Sequence, residues 1–67
     1  MSYIVFEIQD QGEGAVSTVT NVYTDQAQAE NKYHTVLAAA ASSSVKNHSC
    51  VMLQSDGKFI KSETYEH

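Results

Sequence analysis

The chain predicts an α+β domain of order β-β-α-β-β, a four-stranded antiparallel sheet with one helix packed on one face. Three observations lead there. Two stretches rich in β-branched and apolar residues, SYIVFEIQ and AVSTVTNVY, flank the glycine-containing turn DQGEG. Two more, HSCVMLQ and FIKSETYEH, flank SDGK. Between the pairs lies QAQAENKYHTVLAAAA, free of breakers and apolar at helical spacing. Paired hairpins around one helix imply an antiparallel sheet with the helix against one side.

The elements follow in order. In the first strand Ile4, Phe6 and Ile8 share one face, and Tyr3, Val5 and Glu7 the other. Gly12 and Gly14 supply the positive φ that a tight reversal needs. The second strand is expected over Ala15 to Tyr23. Val16 and Val22 share a parity that Val19 lacks, which predicts either a bulge near Thr18 to Thr20 or burial on both faces. Thr24 and Asp25 offer oxygens to free amides at a helix start, and Asp25 with Gln28 has capping-box spacing. Ala29, Tyr33, Val36, Leu37 and Ala40 then form one stripe, so the helix is expected over 25–43, with Lys46 complementing its dipole. Asp56-Gly57 sets the second hairpin.

At 67 residues the chain is expected to form a single small domain, 1–67. Its 42% apolar share argues against disorder, and a lone Cys50 against a disulfide scaffold. Four lysines, no arginine and eight acids give a net charge of −4, which repels nucleic acid. The apolar run Tyr3 to Phe6 is short for a signal peptide, and no stretch approaches the roughly 20 apolar residues a bilayer requires. No nucleic-acid or membrane partner is expected; a cytoplasmic location with a reduced thiol is.

One helix shields one side of a four-stranded sheet, and the other side reads as polar only if water covers it. Here both parities are apolar: Tyr3 and Val5 oppose Ile4 and Phe6, Cys50 and Met52 oppose Val51 and Leu53, and Phe59 and Tyr65 oppose Ile60. Cores of this size contribute about 3–5 kcal/mol. Burying about 400 Å² of apolar area per subunit at ~25 cal/mol per Å² adds on the order of 10 kcal/mol, set against association entropy. A homo-oligomer, a dimer or higher, is therefore expected, with Tyr3, Val5, Phe59 and Tyr65 as the self-association residues. The alanine run Ala38–Ala41 offers a second close-approach surface or simple helix propensity.

No catalytic residues, metal ligands or cofactor are expected. His48 and Cys50 share a face of the third strand, but Cys50 lies in an apolar run where cysteine acts as a small hydrophobe, and His48 is expected at the strand entrance beside solvent. His34 and His67 complete no zinc pattern. Glu30 and His34, one turn apart, read as an exposed helix pair. The acids beside Gly12 and Gly14 repel phosphate. For a ligand, the best polar-aromatic set is Lys58, Lys61, Tyr65 and Tyr23 with His34, since rings stack on a base and lysines neutralise phosphate. The same lysines also guard a strand edge.

The segments YIVFEIQ, ENKYHTVLAAAA and IKSETYEH resemble a family of very short proteins of prophages and gut Firmicutes, and the resemblance spans nearly the whole chain. It implies a virion component, a regulator or a counter-defence factor, with no catalytic motif. Some counter-defence proteins of this size are oligomeric sponges that sequester nucleotide immune signals. The chain is similar to them in size and expected assembly, and departs from them in lacking arginine.

Overall fold

A computed structural model describes residues 1–67. The elements are β1 (Tyr3–Asp10), β2 (Val16–Tyr23), α1 (Gln26–Ala41), β3 (Asn47–Gln54) and β4 (Phe59–Glu66). All neighbouring strands are antiparallel, in the order β2-β1-β3-β4. The two hairpins thus place β1 and β3 side by side at the centre and leave β2 and β4 at the edges. This is the expected β-β-α-β-β sheet with one helix.

The first turn needs more left-handed backbone than its two glycines supply: Gly12, Glu13 and Gly14 all have positive φ. Asp10 Oδ1 accepts the Gly12 amide at 2.8 Å, and Gln11 N–H donates to Ala15 O at 2.9 Å, closing the hairpin. The second turn rests on Gly57 at φ +92, with open space around it. Because a Cβ there meets no atom, Gly57→Ala isolates the backbone cost. It is expected to destabilise the fold by about 1–2 kcal/mol, read as a lower urea midpoint with an unchanged slope.

The helix starts as its sequence requires: Asp25 is the N-cap and its carboxylate accepts the Ala27 amide at 3.0 Å. It ends two residues short of the expected 43, where the Ser42 and Ser43 amides turn back to Ala39 O and Ala40 O. Lys46 lies outside the last turn, and the side chain that reaches the helix end is His67, with Nε2 2.9 Å from Ala40 O. Ala29, Tyr33, Val36, Leu37 and Ala40 are the buried stripe, as the spacing predicted.

Beneath that stripe lie Val5, Cys50 and Met52, each fully buried, with Tyr3, Tyr23, Ile60 and Tyr65 packed around them. The helix therefore covers the odd face of β1 and the even face of β3. Only nine of the 67 residues are buried, so each core contact carries a large share of the stability. The molecule is a flat two-layer slab with principal extents of 35 × 22 × 15 Å.

Two expectations about register are corrected. β2 has no bulge: it pairs with β1 without interruption from Tyr3↔Tyr23 to Asp10↔Val16. Nor is it buried on both faces. It is an edge strand that packs against the helix-covered core through Tyr23 and is exposed over most of its length, so valine on both faces meets no packing conflict. The irregularity falls instead in β4, where Met52 faces Lys61 but Leu53 faces Phe59, leaving Ile60 as the extra residue. That bulge reverses the phase of β4, so Phe59 and Tyr65, which simple alternation puts on one face, lie on opposite faces.

Candidate functional site

The helix-free face of the sheet is assembled from the residues the helix leaves behind. Ile4 lies between Val22 and Leu53, with Phe59 beyond Leu53. In the next row Phe6 lies between Thr20 and Val51. In the third, Ile8 is flanked by Thr18 and Ser49, and the Ser49 and Thr64 hydroxyls hydrogen-bond at 3.0 Å. The face therefore grades from an apolar end at the Asp56-Gly57 turn to a hydroxyl-lined end. At the apolar end Val22 is 63% and Phe59 57% exposed, while the centre is only half-covered by its own neighbours. A water-facing antiparallel sheet ordinarily carries polar side chains there.

Of the four expected self-association residues, Phe59 alone stands on this face. Val5 is wholly buried under the helix, and Tyr3 and Tyr65 pack against the same core. The reason is parity. Sequence alternation shows two apolar faces, and only the docking of α1 decides which is interior. The outer set is Ile4, Phe6, Ile8, Val51 and Leu53 with Phe59.

The five expected ligand residues do not converge within one chain. Lys58, just before β4, and Tyr65 near its far end sit seven positions apart, about 20 Å in extended chain. Tyr23 is on the opposite edge strand, paired with Tyr3. Lys61 is already engaged: its ammonium lies 2.6 Å from Glu30 Oε2 and 4.8 Å from the centroid of the Tyr33 ring. The exposed His34 approaches the same carboxylate at 3.5 Å, confirming the helix pair, and its ring meets Tyr33 edge-on at 5.6 Å. The link from Glu30 to Lys61 spans 31 positions, so no local spacing announces it.

His48 is the largest departure from expectation. Instead of lying beside solvent it is 3% exposed, its Nε2 2.6 Å from Glu7 Oε2. The pairing of β4 runs on to Asn47↔Glu66 and sets Tyr65 against His48, and the His67 amide donates to Lys46 O at 2.8 Å. The strand entrance is thus closed over by the C-terminal residues. A carboxylate only accepts, so Nε2 carries the proton and donates; Nδ1 is buried without a partner. Burial alone would raise the Glu7 carboxyl, but the hydrogen bonds from His48 and Gln9 and the nearby charges of His48 and Lys32 outweigh it and hold the group below its ordinary 4.5.

Cys50 is two residues along the same strand face. Burial, with the Glu7 charge behind it, pushes its thiol up to about 11, so it is a protonated core side chain at neutral pH. No three histidine, cysteine or acidic side chains converge on a point. No helix is long and apolar enough to cross a membrane.

The fold and surface define a small α+β domain with one face of its antiparallel sheet covered and a buried imidazole paired to a partly exposed carboxylate. No protein-family model, curated protein or solved structure matches the chain.

Proposed function

We propose that the chain is a non-catalytic binding protein that works as assembled copies, with the helix-free sheet face as its contact surface. The observation that carries this reading is the apolar row Val22, Ile4, Leu53 and Phe59 backed by Phe6 and Val51, on a domain that buries only nine residues. Apolar area removed from water at ~25 cal/mol per Å² supplies the stability that so small a core does not. The setting we propose is the cytoplasm of a bacterial host, as a phage or prophage product acting on a host process. The likeness of its three segments to short prophage proteins supports that setting.

An apolar protein surface suits this face better than a nucleotide signal does, because the lysines and tyrosines that would hold a phosphate and a base are dispersed, and Lys61 is neutralised by Glu30. A counter-defence role is then exercised through protein contact. Incubation with cyclic dinucleotides or ADP-ribose derivatives, followed by heating, separates the alternatives. Release of intact ligand from the denatured protein restores the sequestration reading.

The direct test is sedimentation of the native chain and of Phe6→Glu, a charge placed at the centre of the face and away from the core. The native chain is expected to assemble at micromolar concentration. Phe6→Glu is expected to keep its far-ultraviolet circular dichroism and lose that contact. A native chain that stays solitary and stably folded at high micromolar concentration overturns the reading.

A further inference from the structure

The two edges of the sheet are not equivalent. β4 carries the usual protections against edge pairing: a bulge at Ile60 and the charged residues Lys61, Glu63 and Glu66, with Lys58 just before it. β2 carries none. From Val16 to Tyr23 it holds no charge and no proline, its ladder with β1 is unbroken, and residues 16–20 and 22 are exposed.

Its open edge can be read residue by residue. Gln11 N–H donates to Ala15 O, and hydrogen-bonded pairs recur at every second position of an antiparallel ladder. Ser17, Val19, Asn21 and Tyr23 therefore direct their backbone groups to β1, and Thr18, Thr20 and Val22 direct theirs outward. The outward amide of Val16 is already spent on Gly14 O at 3.1 Å. The free edge thus consists of three residues centred on Thr20.

We propose that β2 pairs antiparallel with β2 of a second copy of this chain, Thr20 facing Thr20 and Thr18 facing Val22, to make one continuous sheet of four strands from each copy. In that register every outward N–H and C=O of Thr18, Thr20 and Val22 finds a partner, and none of the unavailable Val16 amide is needed. The occupant is a second copy because the edge is complementary to itself about Thr20. Each copy carries a net charge of −4, so close approach is favoured through an edge without charge. The two-fold axis stands perpendicular to the sheet. It keeps both helices on one side and joins the two apolar faces into one broader surface. The inference rests on the reading that copies assemble, and adds a contact distinct from the sheet face.

The test is a charge exchange at the axis. Thr20→Lys and Thr20→Glu, at an exposed position, each set like charges directly opposite one another, and each is expected to weaken dimerisation about tenfold in sedimentation equilibrium. An equimolar mixture of the two is expected to restore it. The same exchange at Thr18 is expected to restore nothing, since Thr18 faces Val22. In the native chain, hydrogen exchange at the amides of Thr18, Thr20 and Val22 is expected to slow as concentration rises. If both Thr20 variants associate like the native chain and these amides exchange rapidly at every concentration, the edge pairing is overturned while the sheet-face reading stands. Conversely, Phe6→Glu that dimerises like the native chain, with those amides still protected, upholds the edge and removes the face. A native chain that never associates overturns both.

Discussion

Glu7→Ala is expected to cost about 3 kcal/mol, enough to unfold much of a population whose total stability is about 3–5 kcal/mol. The loss does not come from Glu7 itself, which is partly open to water at 18% side-chain exposure. It comes from His48, at 4%, whose Nδ1 already lacks a partner and whose Nε2 then loses the only one it has. A buried ring with neither nitrogen bonded bears the full desolvation cost of both. Glu7→Gln keeps the stem and an oxygen that accepts the Nε2 proton, and is expected to cost under about 1.5 kcal/mol.

The pair also sets an acid limit. The folded-state carboxyl of Glu7 lies below its ordinary 4.5, so its contribution is fully present above that value. It is lost as pH falls through the depressed folded value. Urea unfolding of the native chain, at one fixed protein concentration and from about pH 6 to pH 3, is expected to show stability falling in the acid part of that range. Glu7→Gln is expected to fall less steeply. Equal acid slopes for the two proteins, or a Glu7→Ala cost below about 1 kcal/mol, would show that the pair is not coupled to folding.

Met52→Ala is the second large expectation. Met52 is the largest fully buried side chain, held between the helix stripe and the sheet, with Val5 opposite it on β1. Truncation removes its transfer energy and leaves a cavity, which together cost about 2–5 kcal/mol in well-packed cores. Besides Val5, Cys50 and the helix stripe, only the partly buried Tyr3, Tyr23, Ile60 and Tyr65 pack into this layer, so there is little else to hold the helix to the sheet. The variant is expected to lose cooperative unfolding at 37 °C in dilute solution. Met52→Leu, which conserves volume, is expected to cost under about 1.5 kcal/mol. A sharp native-like melt for Met52→Ala would mean that the sheet, not the helix contact, sustains the fold.

Much of this architecture is legible in the residues because it is local. Each strand starts or ends within a residue or so of where β-branched content and turns place it. Asp25 caps the helix through an oxygen two residues from the amide it accepts. The stripe Ala29, Tyr33, Val36, Leu37 and Ala40 follows from the helical repeat alone. That apolar groups remain on both parities of the sheet is equally a matter of counting.

What local pattern leaves open is whatever depends on which surfaces meet. Val5 and Phe6 are equally hydrophobic neighbours, yet one is core and the other surface, because docking of α1 chooses a parity that alternation leaves degenerate. Phe59 and Tyr65 part company through one bulge, which depends on the partner strand. Lys61 meets Glu30, and His48 meets Glu7, across 31 and 41 positions, distances at which spacing carries no information.

The residues alone settled the order of elements, the turns, the cap, the helix stripe and the surplus of apolar surface, since each is fixed by neighbours within a few positions. Only the folded chain decided which face is covered, which edge is unguarded and which polar groups share the interior. Those outcomes depend on contacts between segments far apart along the backbone, whose energies exist only once the layers have come together.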